Sequence, residues 1–320
     1  MKKILIFGSG FSSSYILSYL LRESERYNWS IMVVDKNPVL AKNIFKNHQN
    51  TSIFSFDIHS DGQRKKMIQN ADVVVSLLPT NLHSIIAKDC LLYEKSLFTA
   101  SYLSEEMKSL AVDVKSKGLL FLNECGLDPG IDHMSAMKLI DTVLDLGGKI
   151  TSFKSYCGAL ISPDYYNNNP WKYKFTWSPR NVIFAGKDGG NYMLNKQNVK
   201  IKYSDLFSHT EEVKVFDKHY ESYPNRNALD YLNLYGIDNI KTIYRGTLRE
   251  VGFCFAWHCI VDFFLQNKDK QGTYDYFFNK LKHYVESLQK KDDAVNYINY
   301  LLYKDLKLDK FYNCPEDFIY

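Results

Sequence analysis

The sequence predicts an α/β chain in two parts, a doubly wound parallel sheet followed by an α+β domain. Three observations predict it. Short apolar runs alternate with amphipathic stretches from Lys3 to Leu122. A Gly8-Ser9-Gly10 turn follows the first apolar run and opens a helical pattern. The texture changes at Gly147-Gly148, after which Tyr, Asn and Pro become frequent. Regular β-α alternation implies parallel strands joined by right-handed crossovers.

Taken in order, strands are expected over 3–7, 31–34, 52–56, 72–78, 96–99 and 119–122. Helices are expected over 14–21, 38–47, 62–69, 83–92, 105–117 and 134–146. Strands buried on both faces read as continuous apolar runs, as Val73-Val74-Val75 does. Gly147-Gly148 ends the last of these helices as a C-cap glycine does. Beyond it lie strand-like runs at 151–156 and 182–185 and two helices, at 274–289 and 294–306. The expected division is a dinucleotide-binding domain over 1–130 and a substrate domain over 131–320.

Bulk properties narrow the function. A chain of 320 residues with 45% hydrophobic and 24% charged residues is an ordinary soluble, core-forming protein. The net charge is only +4 and the basic residues are dispersed, so a nucleic-acid partner gets no support. The nearest basic cluster, Arg64-Lys65-Lys66, reads as a solvated helix face. Six cysteines form no C-x-x-C pair, and no cluster of histidines accompanies them. We expect no metal site, no disulfide framework, and reduced thiols in a cytoplasmic protein. The start resembles a signal peptide, but its apolar run, Ile4 to Phe7, is too short and is broken by glycine. No apolar run reaches membrane-spanning length.

Gly8-Ser9-Gly10-Phe11-Ser12-Ser13 sits where a Rossmann fold binds its dinucleotide. Gly8 allows the tight turn, and Gly10 lets a pyrophosphate approach backbone N–H groups at a helix N-terminus. The third position normally holds Gly or Ala; here it is Ser13. Asp35 ends the second strand, where a carboxylate accepts from ribose hydroxyls and repels a 2′-phosphate. That points to NAD over NADP, although Lys36 can offset the repulsion. Leu78-Pro79 and Asn81 follow the fourth strand, and Ser101-Tyr102 the fifth. These are carboxyl ends of strands, where open α/β sheets bind ligands. Leu78, Pro79 and Asn81 are taken as cofactor contacts, Ser101 and Tyr102 as contacts to the nicotinamide half or the substrate.

Gly126-Leu127-Asp128-Pro129-Gly130-Ile131-Asp132-His133 stands at the end of the sixth strand. Pro129-Gly130 signals a turn, and Asp132 is positioned as an N-cap. The string closely resembles the signature of the glutamate-forming saccharopine dehydrogenases. The resemblance continues in order through Ser101-Tyr102, Ser155-Tyr156-Cys157-Gly158, the segment from Asn169 to Ser178, Tyr223-Pro224-Asn225-Arg226 and Arg245-Gly246-Thr247-Leu248-Arg249. It covers roughly residues 1–265.

The resemblance implies NAD(P)-dependent interconversion of saccharopine and water with glutamate and α-aminoadipate semialdehyde, in lysine metabolism. It implies a small amino-acid substrate and a homodimer through the substrate domain. For substrate carboxylates Arg226 is the leading clamp, since guanidinium grips carboxylate in a bidentate fork. Arg249 is either a second clamp or one half of an interdomain salt bridge. Asn169, Lys174 and Thr176 are candidates for the polar ends of the substrate. Trp171, Tyr173, Phe175 and Trp177 alternate with polar residues and read as one buried face. Asp128 leads for acid-base chemistry, with fixing the Pro129-Gly130 turn as its alternative role. His133 either carries a proton or supports that turn. Cys157 either lies near the imine carbon or fills space as a small hydrophobe.

From Gln266 to Tyr320 the resemblance lapses, and the segment with which this family completes its dinucleotide domain is not found. A shortened or divergent relative is therefore expected. Two other readings stay open: reduction of a different imine, as in carboxynorspermidine dehydrogenases, and an NAD-binding relative without catalysis.

Overall fold

A computed structural model describes residues 1–166, 169, 171–174 and 186–266. The expected strand at 182–185, the helices at 274–289 and 294–306, and Thr176, Phe175 and Trp177 lie outside the described residues. Spatially the chain divides into two compact units, Met1–Ser135 and Ala136–Tyr320.

The first unit alternates strand and helix as the apolar runs require. Its strands are β1 (Lys2–Phe7), β2 (Trp29–Asp35), β3 (Thr51–Ser55), β4 (Val73–Ser76), β5 (Ser96–Thr99) and β6 (Phe121–Leu122). They form one sheet in the order β3-β2-β1-β4-β5-β6, every pair parallel. The helices between them are α1 (Ser14–Glu23), α2 (Val39–Phe45), α3 (Asp61–Gln69), α4 (His83–Leu92), and α5 (Glu105–Ser109) with α6 (Ala111–Ser116). The expected helix at 105–117 is thus two short helices parted at Leu110.

Successive strand residues point to opposite faces, and both faces are covered. In β1, Leu5 and Phe7 pack with Val74, Ile86, Cys90 and Leu97. Ile6 turns the other way, into Leu17, Ile31, Val33, Ala41 and Phe45. This explains why β1 reads as an unbroken apolar run.

The reading of Arg64-Lys65-Lys66 as a solvated face is corrected at its first residue. Arg64 is 4% exposed. Its Nε donates to Asp89 Oδ2 at 2.7 Å, its Nη1 to the Ile58 carbonyl at 2.6 Å, and its Nη2 to Asp61. The triplet placed a cation on the inner side of α3, where only pairing with the buried Asp89 makes it tolerable. Lys66 alone of the three is fully on the exposed face.

The second unit is α+β. The chain enters it along α7 (Ile131–Asp145), whose inner residues Ala136 and Ile140 pack with Tyr231, Tyr235, Ile237, Ile240 and Ile243. Its strands are β7 (Ser152–Cys157), β8 (Gly190–Leu194), β9 (Gln197–Ile201), β10 (Glu211–Val215), β11 (Lys218–Pro224), β12 (Arg226–Asn227) and β13 (Thr242–Glu250). The mixed sheet runs β10-β11-β13-β8-β12, with β7 on β13 and β9 on β8. Short helices α8 (Tyr203–Leu206) and α9 (Tyr231–Tyr235) precede α10 (Phe253–Gln266). Tyr223, Phe207, Trp171, Phe253 and Trp257 form an aromatic cluster beside β13. The buried aromatic face expected of the 171–177 stretch is present at its two described members: Trp171 is 1% exposed and Tyr173 3%.

Arg64→Met leaves Asp89 as a buried, unpaired carboxylate. It is expected to destabilise the chain by about 3–5 kcal/mol in denaturant unfolding. Adding Asp89→Leu recovers most of that loss.

Candidate functional site

The carboxyl ends of the parallel strands bring the first-unit candidates together. Gly8 has φ +98°, and a Cβ there would lie 2.9 Å from the Leu77 carbonyl oxygen, so β1 can turn beside β4 only with glycine. Gly10 is different. It has φ −75°, and a Cβ there would meet nothing within 4 Å. The fold therefore does not demand glycine at this position, which leaves close approach by a ligand as its physical reason. Ser13, the departure from the glycine pattern, is 1% exposed, and its hydroxyl donates to the Gly10 carbonyl at 2.7 Å. Phe11 and Ser12 are exposed. The buried Ser9 hydroxyl has no partner among the described residues. An exposed glycine and an orphaned hydroxyl on one loop fit a dinucleotide phosphate.

Asp35 does not simply present itself to a ribose. Its Oδ2 accepts from the Ser9 N–H at 2.6 Å and its Oδ1 from the Asn37 N–H at 2.7 Å. It ties the glycine loop to the end of β2. The exposed Lys36 beside it reaches Asp57 at 3.4 Å.

At the end of β4, Leu78 is half-buried, and Pro79 and Asn81 are exposed. At the end of β5, Ser101 and Tyr102 are half-buried. The Tyr102 hydroxyl donates to Asp128 Oδ1. The signature closes on itself: the Gly126 N–H donates to the Pro129 carbonyl at 2.8 Å and the Ile131 N–H to the Gly126 carbonyl at 3.0 Å. The Asp128–Pro129 bond is cis. Gly130 has φ +146°, and a Cβ there would fall 2.1 Å from the Gly126 oxygen. The expected N-cap role of Asp132 is corrected. α7 begins one residue earlier, and Asp132 Oδ1 accepts from the Gly130 N–H inside the turn. His133 sits with Nε2 2.9 Å from Glu124 Oε2 and Nδ1 3.6 Å from Asp132 Oδ2, an arrangement that ties the turn to the end of β6. Glu124 also accepts from the Leu103 N–H at 2.9 Å.

In the second unit, Cys157 is half-buried at the end of β7, in register with Thr247 of β13. Asn169 is 3% exposed, and both amide atoms are engaged: Nδ2 donates to the Tyr173 carbonyl at 2.7 Å and Oδ1 accepts from the Trp171 N–H at 2.9 Å. It holds its own loop, which its place in a motif could not reveal. Lys174 is half-buried. Arg226 adopts φ +54°, uncommon for a side-chain-bearing residue, and is 40% exposed with Asp188 at 4.0 Å. Arg249 is 7% exposed; its guanidinium lies 4.9 Å from the Tyr173 ring, 5.1 Å from Phe253 and 5.7 Å from Tyr223. No carboxylate lies within ion-pair distance of it among the described residues. Its Nη1 donates to the Leu248 carbonyl at 2.8 Å and its Nη2 to the Tyr223 hydroxyl at 3.4 Å, so aromatic rings and neutral acceptors account for its burial.

Family models match both parts of the chain, the saccharopine dehydrogenase NADP binding domain at residues 4–122 and the saccharopine dehydrogenase C-terminal domain at 126–313. The chain belongs to the saccharopine dehydrogenase family. Saccharopine dehydrogenase [NADP(+), L-glutamate-forming] of Schizosaccharomyces pombe is 35% identical over 263 residues, 82% of this chain and 58% of that protein. The mitochondrial alpha-aminoadipic semialdehyde synthase of Mus musculus is 35% identical over 270 residues, 84% of this chain and 29% of that protein. The apo saccharopine dehydrogenase (L-Glu forming) from Saccharomyces cerevisiae superposes with a TM-score of 0.78 at 28% identity, covering 96% of this chain and 72% of that one. The chain thus spans well under two thirds of the first two relatives' lengths.

Membership in the saccharopine dehydrogenase family supports a nicotinamide cofactor and removes the support for NAD over NADP. Asp35 also carries a local load: its carboxylate accepts two loop N–H groups. Sequence reasoning missed His83. It is 4% exposed, bonded to Ser76 and Ser101, and burial holds its pKa down to about 4. Its one signal was position, first in a helix directly after a strand end. No metal-holding group of side chains occurs among the described residues. No described helix is long and apolar enough to cross a membrane.

Gly10→Ala is expected to fold with unchanged stability and to weaken NADP+ binding at least about tenfold, since only a ligand needs that space. Gly8→Ala is expected to lose about 1–3 kcal/mol of stability as well, through its positive φ. Thermal unfolding and a fluorescence titration with NADP+ separate the two.

Proposed function

We propose that this chain oxidises saccharopine with NADP+ and water to glutamate and α-aminoadipate semialdehyde, and runs the reverse reduction. The observation that carries the reading is the Tyr102–Asp128 pair on the same sheet edge as a phosphate-ready glycine loop, in a chain matched over both parts to saccharopine dehydrogenase domains. The relatives' names supply the substrate.

NADP is favoured over NAD on two grounds. Relatives are named for NADP(+), and Lys36 offers an exposed cation next to the occupied Asp35 carboxylate. Gly8, Gly10, Phe11, Ser12, Leu78, Pro79 and Asn81 line the strand ends that would hold the dinucleotide. A nicotinamide dinucleotide held there would supply the hydride acceptor for the carbon beside the secondary amine.

The residues of the chain do the rest. Asp128, hydrogen-bonded by the Tyr102 hydroxyl, is the carboxylate that would accept the proton from the substrate amine or from the adding water. Collapse of the carbinolamine then breaks the C–N bond, and that proton leaves on the glutamate nitrogen. Ser101 and Tyr102 supply hydroxyls at the same strand end. In the second unit, Arg226 is the carboxylate clamp: its side chain is partly exposed, and a guanidinium grips carboxylate in a bidentate fork. Lys174 and Cys157 are secondary substrate candidates, whereas His133 and Asn169 support their loops. A cytoplasmic location stays part of this proposal, resting on five described cysteines that are all free thiols.

Purified protein with saccharopine is expected to raise nicotinamide absorbance with NADP+ far faster than with NAD+. Asp128→Asn should lower kcat by about 10²-fold or more. Arg226→Ala should raise KM for saccharopine more than it lowers kcat. A folded sample that binds NADP+ but does not turn over saccharopine would sink the assignment, and turnover of carboxynorspermidine in its place would redirect it.

A further inference from the structure

The functional reading leaves one buried ionisable group unused. His83 is the first residue of α4, is 4% exposed, and bonds through both ring nitrogens: Nδ1 lies 2.8 Å from Ser76 Oγ and Nε2 2.8 Å from Ser101 Oγ. Burial holds its pKa at about 4, and the positive end of α4 acts in the same sense, so the ring is neutral near neutral pH. A neutral imidazole has one donor and one acceptor nitrogen. Which is which decides what Ser101 offers.

Ser76 settles it. The residue is fully buried, and the only partner of its hydroxyl among the described residues is His83 Nδ1. If Nδ1 carried the proton, the Ser76 proton would be buried with no acceptor, at a cost of about 1–3 kcal/mol. Ser76 therefore donates to Nδ1, the ring proton sits on Nε2, and Nε2–H donates to Ser101 Oγ. Ser101 is half-buried, and its own proton then turns away from His83.

We propose that His83 is a positioning residue that directs a hydrogen-bond relay from Ser76 through its ring to Ser101, making the Ser101 hydroxyl a donor to an oxygen acceptor of the bound ligand. The acceptor is either a substrate carboxylate or the carboxamide oxygen of the nicotinamide; both present the same chemistry. This rests on the proposed reading of the strand ends as the reaction side. A histidine that merely fills the core would show no coupling to ligand affinity.

The first test needs no turnover. Two-bond ¹H–¹⁵N correlation spectra of the full chain, labelled at histidine and read near neutral pH, are expected to show His83 as the Nε2–H tautomer. The Nδ1–H tautomer or an imidazolium overturns the relay. The second test is a double-mutant cycle. Ser101→Ala and His83→Phe are each expected to weaken one ligand constant about tenfold, the size of one lost hydrogen bond, with kcat less affected. The double mutant is expected to be no worse than Ser101→Ala, and His83→Gln, whose amide can still donate toward Ser101, to recover part of the loss. A rise in KM for saccharopine assigns the substrate carboxylate; a rise in Kd for NADP+ assigns the carboxamide. Additive losses, or no change in either constant in Ser101→Ala, overturn the proposal. If wild-type protein turns over no saccharopine, the reaction assignment fails, while the tautomer and the NADP+ Kd still decide the relay. If His83→Phe does not fold, Ser101→Ala and the tautomer still do so.

Discussion

Parallel pairing constrains the first unit more than any single contact. Six strands running the same way must each be joined by a crossover, so six carboxyl ends come out on one edge and the chain leaves that edge through loops. Gly8, Leu77, Ser101 and Gly126 all follow such ends. The same constraint produces bonds between residues far apart in sequence: the Leu77 N–H to the Phe7 carbonyl at 2.8 Å, and the Cys125 N–H to the Thr99 carbonyl at 3.0 Å. Ligand chemistry collects at the edge because the ladder stops there and leaves polar groups to be satisfied.

The second unit depends on β13 in a comparable way. It is flanked by β7 in parallel and β11 in antiparallel register, and touches β8 at Ile243. Gly246 sits at the crossing of this ladder with Ser222, where a Cβ would fall 2.1 Å from the serine hydroxyl. Two buried arginines lie on the same strand. Arg245 stacks 4.3 Å from the Tyr231 ring, and Arg249 lies among Tyr173, Tyr223 and Phe253. Aromatic faces bury a cation without importing a second charge, which suits a strand crowded on both sides. The motif from Arg245 to Arg249 thus records packing as much as chemistry.

The first unit was legible because its signals are local. A strand buried on both faces is an apolar run, a crossover helix is an amphipathic run, and the order of the two implies the sheet. The second unit was much less so. Apart from β7, its strands carry mixed patterns such as Glu211–Val215, and their pairings span long separations. Side-chain roles were legible only where the backbone alone decides them. Gly8 is one such case, a turn beside a neighbouring strand. Arg64 was misjudged because it is fixed by Asp89, and the loop bonds of Asn169 were not legible because the Tyr173 carbonyl is a partner the sequence does not announce. His83 carried no periodic signal at all.

Asp35 and Ser13 show how far a motif can be trusted. Both occupy fingerprint positions, yet both have local jobs: Asp35 accepts two backbone N–H groups, and Ser13 returns its hydroxyl to the Gly10 carbonyl. Each bond stiffens the loop on one side of Gly10, the residue with empty space above it. A loop already satisfied at both shoulders loses little freedom when an anion arrives, so less of the binding energy goes into ordering it. The departure from glycine at position 13 therefore does not argue against cofactor binding. It replaces close helix packing by a hydrogen bond that holds the same turn.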